Sequence, residues 1–196
     1  MIKYIAVDLG GVYFKWSFDS VMKRLAKETN RDEKAIRKAW LNKRKELYSG
    51  RMSREEYTRE FSRAIGRKVR PRLLQRVEFE ENKPNKPLVS LLKRLRRNYR
   101  LCVISNISEN LYRMDREFHL SKMFEFLLGS IDAGEVKPNR KFWTALLKRA
   151  KCKPNEILII DDNPRIIAAA RKTGFAAIQY KNTHHLKREL KLWGVY

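Results

Sequence analysis

The sequence predicts an α/β protein built on a parallel β-sheet with helices on both faces. Short apolar runs, too short for helices and rich in β-forming residues, alternate with longer stretches of helical spacing. This alternation favours a parallel, doubly wound sheet, because each parallel strand needs a crossover connection to the next. The predicted strands cover residues 4–7, 101–104, 126–128, 157–160 and 176–178.

A second pattern, without a strand signal, occupies residues 17–80. Its apolar residues follow helical spacing, and Ser53 with Glu56 has the form of a capping box that opens a helix. One continuous helix is predicted over residues 32–48, before a stop at Gly50. We therefore predict an all-helical insertion of about four helices over residues 15–85, and an α/β core formed by residues 1–14 and 86–196.

Composition limits the class of protein. A chain of 196 residues, 43% of them hydrophobic, can bury a substantial core and is not expected to be disordered. No apolar run is long enough to span a bilayer, and the first residues lack a signal-peptide pattern. Cys102 and Cys152 have neither CxxC nor zinc spacing. These features predict a cytoplasmic protein with reduced cysteines and no membrane partner.

The formal net charge of +23 is the unusual feature of the composition. It favours anionic partners, whether nucleic acid, a membrane surface or phosphorylated small molecules, although a highly charged solvated surface is an alternative. The excess is spread over the whole chain, so a dedicated basic tail that binds nucleic acid is not favoured. Four cations on one predicted helix form either a solvated face or a phosphate contact: Lys93, Arg94, Arg96 and Arg97.

Polar residues follow three of the predicted strands at once. Asp8, Ser105 and the pair Asp161–Asp162 each come directly after an apolar run, and Lys137 lies in the loop region after a fourth. Because the carboxyl ends of parallel strands share one edge of a sheet, we expect these side chains to meet there. Carboxylates supply the hard oxygens that Mg²⁺ needs, while a hydroxyl and an ammonium donate to phosphate oxygens. The sequence therefore predicts a magnesium and phosphate site.

Four short motifs in order resemble those of the haloacid dehalogenase superfamily of phosphohydrolases. They are Asp-Leu-Gly-Gly-Val from residue 8, Ile-Ser-Asn from 104, Val-Lys-Pro from 136 and Ile-Asp-Asp-Asn from 160. Each motif alone is weak, but their order and spacing are specific and cover nearly the whole chain. The chain is most similar to the capped sugar-phosphatase branch, which includes α-D-glucose-1-phosphate phosphatases. The resemblance implies a Rossmann-like three-layer sandwich with an inserted helical cap.

The resemblance also implies roles for the residues at the predicted sheet edge. Asp8 would be the nucleophile, which takes the phosphoryl group as an aspartyl-phosphate that water then hydrolyses. Mg²⁺ would be held by Asp8, the Gly10 carbonyl and Asp162. Asp161 would bind the ion through water or support Lys137. Lys137 and the metal would neutralise the charge on the transferring phosphoryl group.

The same resemblance implies how the substrate is held. The phosphate would be bound by the backbone N–H groups of Leu9 and Gly10, together with Ser105, Asn106 and Lys137. The cap would close over the site, exclude water and contact the leaving group. The implied activity is Mg²⁺-dependent hydrolysis of small phosphate monoesters, above all sugar phosphates, by a monomer or small homo-oligomer.

One residue departs from the pattern of the superfamily. Most of its phosphatases carry a second aspartate two residues after the nucleophile, which acts as general acid and then base, and this chain has Gly10 there. A general acid contributes about 10²–10⁴-fold, so its loss predicts a slow enzyme unless the leaving group is activated. The sugar-phosphatase branch shares this glycine. Dehalogenases of the superfamily place tyrosine there, so Gly10 argues against dehalogenation.

The residues alone leave other interpretations open. Asp161 and Asp162 could cap a helix that begins at Pro164, Ser105 could cap a following helix, and Lys137 could be solvated.

Three aromatic residues, Tyr13, Trp16 and Trp40, could line a substrate pocket or pack in the core. The alternative function is that of a catalytically weak protein of the same fold, which binds nucleic acid through its basic surface.

Overall fold

The computed structural model describes residues 1–196 and contains one five-stranded sheet. Every neighbouring pair of strands is parallel, and the spatial order is β3-β2-β1-β4-β5. Each of the five predicted apolar runs forms one of these strands, so the strand predictions are confirmed. The strands are β1 (Tyr4–Val7), β2 (Arg100–Ser105), β3 (Phe126–Gly129), β4 (Ile157–Asp161) and β5 (Ala176–Gln179).

Five helices lie between β1 and the sixth helix of the chain: α1 (Phe18–Thr29), α2 (Glu33–Leu41), α3 (Arg44–Tyr48), α4 (Arg54–Ala64) and α5 (Pro71–Glu80). Six more alternate with the remaining strands: α6 (Lys86–Leu95), α7 (Asn110–Phe118), α8 (Ser130–Ala133), α9 (Arg140–Ala150), α10 (Pro164–Lys172) and α11 (Thr183–Leu192). No helix combines the length and the apolar character needed to cross a membrane. Both cysteines are free thiols.

The sheet separates two apolar cores. Successive side chains of a strand point to opposite faces, so Ile5 and Val7 of β1 enter one core while Tyr4 and Ala6 enter the other. Buried residues of α6, α7 and α11 complete the first core, and those of α9 and α10 complete the second. These three layers confirm the predicted α/β fold, a parallel sheet with helices on both faces.

Helices α1 to α5, which we call the helical insertion, have an apolar core of their own. Thirteen buried residues form this cluster, with Trp40 fully buried at edge-to-face contact with Tyr57 and Phe61. The capping box of Ser53 and Glu56 is present at the start of α4. The all-helical prediction for this segment is therefore correct, and the division of the chain into an α/β core and residues 15–85 remains our proposal.

The prediction of about four helices in this segment is wrong, because the helix predicted over residues 32–48 is two helices. The break lies between α2 and α3, where Lys43 adopts a left-handed conformation with φ of +58°. Neither glycine nor proline marks the position, and a non-glycine residue in this region costs about 1–2 kcal/mol. The turn re-aims the chain, so that Leu41 and Arg44 both line the cavity described below.

The two segments that connect the helical insertion to the sheet run side by side. The Lys15 N–H donates to the Lys83 carbonyl at 2.8 Å, and the Asn85 N–H donates to the Tyr13 carbonyl at 2.8 Å. The Asn85 amide also donates to the Val12 carbonyl at 3.1 Å. The helical insertion therefore leaves and rejoins the core at one place, directly beside the carboxyl end of β1.

Candidate active site

Asp8, Asp161 and Lys137 meet at the carboxyl edge of the sheet. Asp8 follows β1 and Asp161 ends β4, and these strands are direct neighbours with Val7 opposite Ile160. The Lys137 ammonium donates to Asp8 Oδ1 at 2.9 Å, to Asp161 Oδ2 at 2.7 Å and to the Ile104 carbonyl at 3.1 Å. Residues separated by more than a hundred positions therefore form one ion-paired group.

The burial of this group governs its electrostatics. Lys137 is 4% exposed, Asp8 8% and Asp161 1%. Burial raises the pKa of Asp8 to about 7, and the Asp161 and Asp162 carboxylates add to the rise while the Lys137 ammonium opposes it. Burial lowers the pKa of Lys137, but the charges of Asp161 and Asp8 outweigh it and bring that pKa to about 12. The lysine is therefore a buried, protonated cation.

Asp162 adds a third carboxylate to the edge. Oxygens of Asp8, Asp161 and Asp162 lie within 4.8 Å of one another, and burial together with Asp161 raises the pKa of Asp162. Three carboxylates beside one ammonium leave an excess of two negative charges when all are ionised. Crowded carboxylates resist ionisation unless a cation joins them, and oxygen ligands suit hard divalent ions. This donor set fits a divalent cation such as Mg²⁺.

The Asp162 carboxylate lies directly against Gly11, in space that any side chain at residue 11 would occupy. The φ of Gly11 is +79°, and a Cβ added there would lie 2.3 Å from Asp162 Oδ2. Only glycine allows both the left-handed turn and this approach. The sequence contained no sign that a carboxylate from a distant strand lies against Gly11.

Asn106 holds the loop that carries Lys137. Its side-chain oxygen accepts from the Lys137 N–H at 2.7 Å, and its amide nitrogen donates to the Lys137 carbonyl at 3.1 Å. The backbone N–H groups of Leu9, Gly10 and Asn106, by contrast, donate to no group in the protein. All three residues line one cavity together with Asp8, so these N–H groups are free to donate to a ligand bound there.

The structural alternatives for these residues do not hold. Asn163 caps α10, because its Oδ1 accepts the Arg165 N–H at 2.9 Å. Neither Asp161 nor Asp162 is the cap of this helix. Asp161 Oδ1 accepts the Asn163 N–H at 2.9 Å, so Asp161 supports the turn as well as Lys137. No side chain caps α7, the helix after Ser105, and Lys137 is buried instead of solvated.

A cavity of about 800 Å³ opens above the sheet edge. Its floor is formed by residues at the carboxyl edge of the sheet, including Asp8, Ser105 and the loop residue Lys137. Its other side is formed by the segment 15–85, which contributes one aliphatic side chain and several aromatic, charged and polar ones: Leu41, Trp16, Arg44, Lys45, Tyr48, Glu78, Phe79 and Asn82. Of the three aromatic candidates, only Trp16 lines the cavity, since Tyr13 is buried in one core of the sheet and Trp40 in the core of the helical insertion.

Alanine substitutions at Gly11 and Gly66 distinguish the contact of Gly11 with Asp162 from the cost of positive φ alone. Gly11→Ala and Gly66→Ala both place alanine at positive φ, at a cost of about 1–2 kcal/mol each in the free energy of unfolding. Only at residue 11 does the new Cβ displace Asp162, since nothing lies within 4 Å at residue 66. We expect Gly11→Ala to weaken Mg²⁺ binding by about ten-fold or more in calorimetric titrations, and Gly66→Ala to change it by less than about two-fold. Equal Mg²⁺ affinities in the two variants would contradict this role.

Solved structures share the fold over nearly the whole chain. A HAD family enzyme from Bacteroides thetaiotaomicron, in complex with magnesium and inorganic phosphate, matches with a TM-score of 0.81 at 18% identity, covering 95% of this chain and 99% of that one. A predicted HAD-like family hydrolase from Porphyromonas gingivalis matches with a TM-score of 0.81 at 26% identity, covering 97% and 98%. An L-2-haloacid dehalogenase from Xanthobacter autotrophicus matches with a TM-score of 0.69 at 18% identity, covering 100% and 85%.

Sequence comparison gives a shorter curated match and a long family match. Bifunctional epoxide hydrolase 2 of Mus musculus is 38% identical over 72 residues, which cover 37% of this chain and only 13% of that protein. The family model of the haloacid dehalogenase-like hydrolases matches residues 16–179. With that match over most of its length, the chain belongs to the haloacid dehalogenase-like hydrolase family.

Proposed function

We propose that this protein is a Mg²⁺-dependent phosphatase that hydrolyses small phosphate monoesters, sugar phosphates above all, through an aspartyl-phosphate. One observation carries the proposal: a buried ammonium, that of Lys137, lies between the Asp8 and Asp161 carboxylates at the floor of a cavity. Such a group can hold a phosphoryl dianion only with further positive charge, which a divalent cation supplies. The magnesium and phosphate complex of the structurally similar Bacteroides enzyme supports this proposal.

Asp8 is the proposed nucleophile. Its Oδ1 accepts from Lys137, so Oδ2 is the oxygen that attacks phosphorus. The new Oδ2–P bond forms as the bond from phosphorus to the leaving-group oxygen breaks, and that oxygen takes a proton from water. A second water then attacks phosphorus as the Oδ2–P bond breaks, and it gives a proton to the hydroxide left by the first water, so that inorganic phosphate leaves and the carboxylate is restored.

Asp8, Asp162 and the Gly10 carbonyl are the proposed ligands of Mg²⁺. When bound, the ion neutralises charge on the phosphoryl oxygens. Both oxygens of Asp161 are already engaged, one with Lys137 and one with the Asn163 N–H. Of the two roles that the family resemblance offers for Asp161, support of Lys137 is therefore the one we propose.

The phosphate is proposed to bind at the partnerless N–H groups of Leu9, Gly10 and Asn106, beside the Ser105 hydroxyl and the Lys137 ammonium. Backbone N–H groups that converge on one point favour an anion. The helical insertion covers this site and shields it from water. A small phosphorylated substrate would therefore enter between the helical insertion and the carboxyl edge of the sheet. Gly10 disfavours dehalogenation, although a dehalogenase shares the fold.

Replacement of the nucleophile tests the proposal. We expect purified wild-type protein to release inorganic phosphate from p-nitrophenyl phosphate in the presence of Mg²⁺, and Asp8→Asn to slow this by about 10³-fold or more. Asp19→Asn is the matched control, because that side chain is 69% exposed on α1 and should leave the rate unchanged. The proposal fails if the wild-type protein shows no metal-dependent turnover on a phosphoester panel, or if Asp8→Asn retains most of its activity.

The glycine in place of the general acid gives a second test. A Cβ at residue 10 would meet Trp16 at 3.7 Å, an ordinary van der Waals contact, and the backbone there is not left-handed. Gly10→Asp should therefore fold, and its carboxylic acid should protonate a poor leaving group. We expect a gain of about 10²-fold in kcat on alkyl phosphates and a smaller gain on p-nitrophenyl phosphate. Gly10→Asn has the same shape without the acid, and an equal gain in both variants would contradict the explanation.

A further inference from the structure

A tract of arginines lies at the amino edge of the sheet, opposite the edge that carries Asp8. Arg100 is the first residue of β2, and Glu125 directly precedes β3. Because all five strands are parallel, this edge lies at the far end of the sheet from the candidate active site. A ligand bound here would therefore leave the candidate active site free.

The segment that contains α6 and β2 is basic and free of acidic residues. Between Glu81 and Glu109 the chain has seven basic residues: Lys83, Lys86, Lys93, Arg94, Arg96, Arg97 and Arg100. Cations in the last turn of a helix complement its dipole, which accounts for Lys93 and Arg94 in α6. Arg97 lies beyond the end of α6, so the helix dipole does not account for it.

Two adjoining surface clefts, of about 430 and 320 Å³, gather the arginines of this segment, and we call them the arginine clefts. Their linings include four arginines and two tyrosines: Arg94, Arg96, Arg97, Arg100, Tyr99 and Tyr196. Tyr99 lines both clefts, so they are neighbours along the same edge. Glu125 is the only acidic side chain in either lining. Four guanidinium cations therefore share one side-chain carboxylate.

Most of these guanidinium groups are not neutralised within the protein. Only Arg100 has an acidic partner, Glu125 at 3.3 Å, and that arginine side chain is still 64% exposed. Two others are held in place without losing their charge. Arg94 lies over the Tyr196 ring, 5.2 Å from its centre, and Arg96 donates to a backbone carbonyl at 2.6 Å. The arginine clefts therefore present positioned cations to the solvent.

An extended polyanion that carries aromatic groups matches this surface. Guanidinium groups bind phosphate through paired hydrogen bonds, and a tyrosine ring offers a face on which a nucleobase stacks. Tyr196 is 41% exposed and Tyr99 is half-buried. A duplex keeps its bases stacked inside, so only a single strand offers both phosphates and free bases. We propose that the arginine clefts bind single-stranded nucleic acid, a function separate from the proposed phosphatase activity.

An anionic bilayer matches the arginine clefts less well. It also presents phosphate groups, but as a broad surface that does not enter clefts, and it has no bases to stack on Tyr99 or Tyr196.

Fluorescence anisotropy with a labelled oligothymidylate of about 16 nucleotides tests the proposal on the wild-type protein. We expect binding that weakens by about 50-fold or more between about 50 and 200 mM salt, because four phosphate contacts to a single strand each contribute about −0.7 to the salt slope. We also expect the single strand to bind about five-fold or more tightly than a duplex of the same length. A purely electrostatic surface would prefer the duplex, which has more charge per unit length. That preference, or no binding, would overturn the proposal.

Two double variants of equal net charge assign the binding to the arginine clefts. Arg94→Gln with Arg97→Gln removes two exposed cations from the clefts, and Arg70→Gln with Arg72→Gln removes two exposed cations from the helical insertion. We expect the first variant to lower the affinity for the single strand by about ten-fold or more at about 50 mM salt, and the second by less than about two-fold. Equal losses would mean that binding is spread over the whole basic surface, and would overturn the proposal.

A tyrosine pair tests the stacking of bases. Tyr196→Leu should weaken binding of the single strand by about five-fold or more, since a stacked base loses its aromatic partner. Tyr112→Leu is the matched control, because Tyr112 is 48% exposed on α7, outside the arginine clefts, and its replacement should leave the affinity unchanged. Equal affinities of the two variants would contradict stacking on Tyr196.

Vesicles of phosphatidylserine and phosphatidylcholine test the membrane as the alternative partner. If the protein sediments with these vesicles, and the Arg94→Gln, Arg97→Gln variant loses this sedimentation while it keeps its affinity for the oligonucleotide, the clefts bind lipid and the proposal is wrong. If a cleft variant does not fold, the comparison of single strand with duplex on the wild-type protein decides the question.

Discussion

The ion pair of one buried ammonium with two carboxylates is the constraint on which the site depends. Removing an ammonium from water costs several kcal/mol, and only close carboxylates with further hydrogen bonds repay that cost. Lys137 meets this requirement with Asp8, Asp161 and the Ile104 carbonyl, which come from three adjacent strands. The group forms because β2, β1 and β4 are parallel neighbours, so the geometry of the site depends directly on the order of strands in the sheet.

The position of the helical insertion follows from the same edge. The chain leaves β1, turns at Gly11 and enters α1 at Phe18, then returns beside its starting point through Asn85. Five helices are thereby held above the carboxylates and close a cavity over them. The floor carries charge suited to a phosphoryl group, while the facing wall around Glu78 is neutral overall.

The sequence was sufficient for whatever depends on local pattern. Apolar runs with polar ends predicted all five strands, and the meeting of Asp8, Lys137, Asp161 and Asp162 followed from parallel topology. Features that depend on distant contacts were not predictable. Lys43 breaks a helix without glycine or proline, so no local signal in the sequence marked the break. The side chains that meet at Glu78 lie on separate helices with no motif in common, so their meeting appears only in three dimensions.

The most direct measurement of the central claim is a crystal structure with Mn²⁺ in place of Mg²⁺ and orthovanadate in place of the phosphoryl group. We expect an anomalous peak for Mn²⁺ about 2.1 Å from oxygens of Asp8 and Asp162, with vanadium next to Asp8 Oδ2 and an oxygen on the Lys137 ammonium. A metal bound away from Asp8, or vanadate that contacts neither Asp8 nor Lys137, would contradict the account.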